Sequence, residues 1–377
     1  MGYASPLPPL FKCSRFLALV ALLVLPGLVR AQAGARTDTP RAGTLRVSFE
    51  PVITTWEREF TDSGREQRIG ASLPATVFVR SERRVTPLTL DFGISNRIAI
   101  GVRVPLVRVN TRATFKLDSL GAPTADSAAQ ALDSLLQDTT YAFGPIAGTS
   151  RRLRSFSGDV ELQAKCRILE SHDYALSGAL VVRFPTGHQD SPNRLFDLST
   201  GDHQTDIELQ VAQELTLFDR VWLNALVRAG RQQSGTRARR VGPQSVLLIP
   251  HAALATLDWD PGDYLAIDVA PMFRFSRAFG VGFTTGYYTQ TRDRYSYRSA
   301  QDSIDVATRL GGGPPVSAAV LDAGTALRWA RLGVAMTYQG SDVEGSLSIE
   351  QTVTGSGGLV PVATVFRIVM RTSRWPF

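Results

Sequence analysis

The stretch from Arg183 to Gln210, RFPTGHQDSPNRLFDLSTGDHQTDIELQ, crowds His188 and His203 among Asp190, Asp197, Asp202 and Asp206. Those residue types support two chemistries. Carboxylates supply hard oxygen ligands for a calcium ion. A histidine beside Ser191 or Ser199 supplies the base of a nucleophilic hydrolase. The spacing completes neither. The aspartates follow no EF-hand register, and the chain holds no G-x-S-x-G, P-loop, H-E-x-x-H or C-x-x-C. Asp, Asn, Ser, Pro and Gly are also the residues of solvated turns. What flanks the stretch decides between these readings.

The flanks alternate. In DIELQVAQELTL, Ile207, Leu209, Val211, Leu215 and Leu217 fall on one face, with Asp206, Glu208, Gln210 and Glu214 on the other. In YALSGALVVRF, Tyr174, Leu176, Leu180, Val182 and Phe184 oppose Ser177 and Arg183. A period of two means a strand with one dry face. DVELQAKCRIL, VWLNALVRAG, LAIDVAPMFRF and LDAGTALRW repeat the pattern. These runs are longer than the usual soluble strand of about 5–6 residues and match the roughly 9–11 that cross a bilayer. They predict an all-β fold: a transmembrane antiparallel β-barrel of about twelve strands.

Residues 1–33 read as a secretory signal. Lys12 and Arg15 precede the apolar run FLALVALLVLPGLV, and Ala31-Gln32-Ala33 supplies small residues for cleavage. Residues 34–43 are then an N-terminal periplasmic segment and 44–377 the barrel. The formal charge of +7 falls to about +4 on cleavage, too mild for a nucleic-acid partner. Cys166 alone remains, so no internal disulfide is expected.

The connections alternate in length, as short periplasmic turns and long outer loops should. Residues 95–97, 170–173, 218–220, 276–278 and 330–331 read as short turns. Residues 114–154, 187–203, 232–263, 292–315 and 340–358 read as long loops, with a short helix within 125–138. This parity predicts outward strands near 44–56, 98–109, 174–184, 221–231, 279–291 and 332–339. Inward ones fall near 86–94, 159–169, 206–217, 264–275, 317–329 and 360–373. Residues 57–85 and 245–259 fit no wall strand.

The same phases point Arg46, Arg103, Lys165, Arg167, Arg183, Arg228, Arg274 and Arg328 into the lumen. They also point Glu50, Asp159, Glu161, Asp206, Glu208, Glu214, Asp268 and Asp322 there. Balanced charge in a modest bore favours cross-lumen ion pairs over a field of one sign. Trp222 and Tyr288 are the expected inward aromatics, while Phe92, Phe184, Phe218, Trp329 and Trp375 are expected in interface girdles.

FGISNRIAIGVRVP (92–105), SGDVELQAKCRIL (157–169) and RFPTG (183–187) resemble hairpin and strand segments of the phenol-degradation meta-pathway outer-membrane proteins. That family is related to the long-chain fatty-acid transporters. The resemblance covers residues 86–295 and implies a channel for small molecules, apolar or aromatic ones among them. With no catalytic motif in the chain, neither a cofactor nor catalysis is expected. The expected location is the cell outer membrane. The expected partners are its lipids, an unidentified small solute, and the barrel-assembly machinery, which would read the last strand and Phe377. Two alternatives stand beside the channel: a non-conducting structural or adhesion barrel with an ion-paired lumen, and a barrel hydrolase.

Overall fold

The computed structural model describes residues 37–71, 77–115, 131, 133–144, 150–155, 158–218, 220–243, 246, 248–276, 278–340, 343–358 and 360–372. The expected signal sequence, Trp375 and Phe377 lie outside them.

One antiparallel sheet of fourteen strands closes on itself. Leu45–Phe49 and Val52–Trp56 both lie against Val77–Gly93 and form one wall strand. Ser150–Ser155 and Val160–Glu170 do the same against Ile98–Phe115. The wall therefore has twelve strands. It continues with Tyr174–Phe184, Asp206–Leu217, Val221–Gln232, Tyr264–Arg274, Phe279–Gln290, Arg328–Gln339, Val343–Ser356 and Thr364–Thr372. The last strand closes on the first through Val47↔Thr372 and Val52↔Arg367. Closure gives the first and last wall strands a partner on both sides, and a lipid-embedded chain requires such pairing of its backbone.

The outer face is apolar and exposed. Ile207, Leu209, Leu332, Val334, Met336 and Ile349 are all exposed. An apolar belt of this extent needs lipid against it. At the short-turn end, Phe275, Phe279 and Tyr338 make an aromatic cluster, with ring centroids 6.1 and 5.1 Å apart. Phe92, Phe184 and Phe218 are also exposed.

Two wall segments differ from the alternation read above. Residues 317–327 are not a strand, and Arg328 and Trp329 begin the next one. Ser317 caps a 3₁₀ turn over Ala318–Asp322, and Gly324 takes φ 76°, which no strand tolerates. The strand in question is Val343–Ser356, within residues read as an outer loop. Its Leu347, Ile349 and Val353 face out while Ser348, Glu350 and Thr352 face in. Gly345, Gly355 and the serines make it read as a loop. As a result, Arg328–Gln339 runs toward the periplasm rather than away from it. Residues 330–331 lie inside that strand, opposite an irregularity at Val353, and the strand ends where the Gly340 amide donates to the Val343 carbonyl.

The outer connections build a second layer. Gly235–Arg240, Leu254–Asp260 and Arg294–Tyr297 form a small sheet. Helix Ala300–Arg309, with a Ser299/Asp302 capping box, packs on it through Val306. Leu257, Trp259, Tyr295 and Leu321 complete that core. The apolar run at 245–259 thus supplies a strand outside the wall. Within 57–85, Arg58–Phe60 and Glu66–Arg68 form a hairpin, and Val77–Gly93 carries a wall strand farther outward than expected. The described residues around 131–137 are helical.

Candidate functional site: the barrel lumen

Successive wall strands place inward side chains side by side, so ion pairs form along the circumference. Arg103 Nη1 donates to Glu161 Oε2 at 3.1 Å. Arg183 bridges two acids, with Nε to Glu161 at 3.2 Å and Nη1 to Asp206 at 2.7 Å. Farther round, Arg228 donates to Asp268 at 2.8 Å, and Arg331 lies 3.6 Å from Glu350. Glu208 accepts from the Tyr264 hydroxyl and from Gln210. Each buried charge needs such partners, since an unpaired one costs several kcal/mol.

Several of the described inward residues are aromatic. Tyr264 stacks on Tyr288 at 5.7 Å, and Tyr288 on Trp329 at 5.2 Å, forming a shelf across three adjacent strands. Arg331 lies 4.3 Å from the Trp329 ring centre. Trp329 was expected at the lipid interface. Its strand is Arg328–Gln339, where Trp329 shares the inward phase of Arg331, Ala335 and Thr337. Trp222 is buried with Ala270, Met272 and Ala335, and Arg274 lies over its ring.

The periplasmic mouth is occupied by the chain's own residues 37–40. The Thr37 amide donates to Glu214 at 2.8 Å, Asp38 pairs with Arg46 at 2.6 Å, and Thr39 donates to the Asn96 carbonyl. Arg167 donates to the Thr39 carbonyl, and Lys165 lies within electrostatic reach of Asp38, Asp91 and Glu214.

Two expected lumen residues lie elsewhere. Asp322 sits in the outer 3₁₀ turn, where it accepts from the Tyr295 amide. Arg328 is exposed at the first residue of its strand, on the face opposite Trp329. Several lumen residues escaped the sequence reading: Arg83, Tyr264, Arg331, Glu350 and Arg367. The signal for Arg367 was present, because Phe366, Ile368 and Met370 alternate against it.

The loop 187–203 folds over the outer mouth. Asp159 accepts from the amides of Gly187 at 2.8 Å and Asp202 at 2.9 Å. A Cβ at Gly201 would collide with both Asp159 carboxylate oxygens, so glycine is required there. Asp190 is clamped by Arg237 and Arg239 of the outer sheet. Burial raises the Asp190 carboxyl, but the Arg239 and Arg237 guanidiniums outweigh that and hold it at about 2. Arg240 stacks on Phe143 and donates to the Tyr141 and Ile249 carbonyls, and burial pushes it down to about 10. Asp197 caps the Ser191 amide. The acids that could have held calcium are thus engaged within the loop and with arginines. No three His, Cys, Asp or Glu side chains among the described residues converge as a metal site. Neither His188 nor His203 bonds to Ser191 or Ser199 among the described residues. Beneath the loop lies a vestibule of about 1150 Å³, walled by Trp56, Arg83, Phe143, Phe196 and Arg239.

No protein-family profile matches this sequence, and no curated protein does. Solved structures do. An outer-membrane channel from Pseudomonas putida F1 superposes with TM-score 0.55 at 10% identity, over 91% of this chain and 99% of that one. The transport unit of the autotransporter AIDA-I from Escherichia coli gives 0.40 at 6% identity, over 96% and 97%. The CymD monoaromatic hydrocarbon channel gives 0.37 at 11% identity, over 88% and 89%. At 10% identity the first likeness is one of fold. With the apolar belt, it makes this chain an outer-membrane β-barrel.

Proposed function

We propose that the barrel is a passive outer-membrane channel for small solutes. One observation carries this reading: the inside of the wall is not a packed core. A cavity of about 60 Å³ lies at mid-height between opposite wall strands, bordered by Asn224, Asp268, Thr284, Ser348, Glu350 and Arg367. Barrels of about eight strands fill their interior with side chains, and twelve strands enclose a wider bore. Here the vestibule, the aromatic shelf and the polar cavity form a succession of surfaces for a solute. The shelf suits a flat ring, aromatic or sugar, because stacking needs only a face. This reading assigns the chain no catalytic step.

The ion-paired lumen and the seated residues 37–40 favour a second reading, a barrel that is closed at rest. Purified protein in planar lipid bilayers separates the two. Discrete conductance steps in potassium chloride are the expected result. Absence of steps in any salt, from protein shown to be folded by its heat-modifiable gel mobility, would leave the structural reading.

A further inference from the structure

The mid-lumen cavity has an unusual polar inventory. Asn224 is 4% exposed, yet both its amide nitrogen and its amide oxygen lack a hydrogen-bond partner. The Thr284 hydroxyl and the Arg367 Nε are in the same state. A buried polar group left unpaired costs about 1–3 kcal/mol. Three such side chains, Asn224, Thr284 and Arg367, line one cavity.

The charge of that site follows from its neighbours. Asp268 is bonded to Arg228 and Glu350 lies beside Arg331. Arg367 makes no hydrogen bond or ion pair among the described residues. Glu50 is within its electrostatic reach, but Glu50 already accepts from Arg371 at 2.9 Å. Around the cavity the pairs cancel, and one guanidinium is left over. Arg367 is held there by its register: it pairs with Ser348 on one side and Val52 on the other, and neither is an acid.

We propose that this cavity is a binding site for a small monovalent anion, a halide or the headgroup of a carboxylate. Arg367 supplies the charge, with the Asn224 amide and Thr284 hydroxyl as neutral donors. About 60 Å³ has room for a halide or a carboxylate group, since a water occupies about 30 Å³ of liquid volume. A cation entering here meets an excess positive charge at short range, without bulk water to screen it. This site makes the channel anion-selective, and the class of solute is a small organic or inorganic anion. The inference rests on the channel reading for its permeation arm alone.

Reversal potentials in a potassium chloride gradient test selectivity. The wild-type protein should prefer chloride over potassium by about ten-fold. Arg367→Gln should bring the ratio close to unity. Arg367→Lys should retain the preference, and Arg298→Gln, in the outer layer, should leave it unchanged. Current without anion preference, or with the same preference in Arg367→Gln, overturns the inference and leaves the channel standing. Absence of any current removes the channel reading instead. A second arm is independent of conduction. Crystals soaked in sodium bromide should show an anomalous peak between Arg367 and Asn224 that Arg367→Gln abolishes. An empty cavity after the soak overturns the site.

Discussion

At the scale of single residues, Arg183 shows how the lumen is held. Its guanidinium joins Glu161 and Asp206, and Asp206 is 1% exposed. Neither acid has other cationic contact of that quality except Glu161 with Arg103. Arg183→Leu would leave Asp206 buried and uncompensated, a loss of about 3–5 kcal/mol. Urea unfolding in lipid vesicles, followed by tryptophan fluorescence, should show it. The double change Arg183→Leu with Asp206→Leu should recover most of that loss, because removing both partners of a buried pair is far cheaper than removing one.

At the scale of elements, the loop 187–203 is a folded cover anchored at two points. The first anchor is Asp159 against Gly187 and Gly201. Gly201→Ala cannot keep that approach, and overpacking of this kind costs about 1–3 kcal/mol. Protease added from outside should then cut the loop faster, while the wall keeps its heat-modifiable mobility. The second anchor is Asp190 between Arg237 and Arg239. Its carboxyl is held at about 2 against an ordinary 3.8. A depressed acid contributes stability that is complete above its unfolded value and disappears as pH falls through the folded one. The clamp should therefore hold at neutral pH and weaken between about pH 4 and pH 2, by about 2 kcal/mol. Loop proteolysis by pepsin across that window should rise in the wild type. Asp190→Asn should show the faster cleavage at every pH in the window.

At the scale of the molecule, the barrel is narrowed from both ends. The outer layer and loop roof a vestibule, and residues 37–40 occupy the periplasmic mouth through Glu214, Arg46 and Asn96. Deleting residues 34–43 should remove that obstruction. The expected result is a conductance several-fold larger in planar bilayers. An unchanged conductance would place the limiting constriction deeper, at the cavity beside Arg367 and the apolar cluster of Trp222 and Met272.

The alternation of DIELQVAQELTL and its counterparts determined the fold class by itself. A period of two is a local property, and ten or more residues of it leave little but a membrane-spanning strand. The sequence also showed that the His and Asp of residues 188–203 belong to a connection between two such strands. Local pattern failed where local geometry broke it. Gly324 with the turn at Ala318–Asp322 mimicked a strand and so assigned Trp329 to the wrong face, and a serine-rich strand at 343–356 looked like a loop. Only the tertiary structure decided which charges are paired. Arg183 finds its acids on adjacent strands, whereas Arg367 lands between Ser348 and Val52 and faces Asn224 across the lumen. Those neighbours come from strands far apart in the chain, set by register and closure, and no local spacing encodes them.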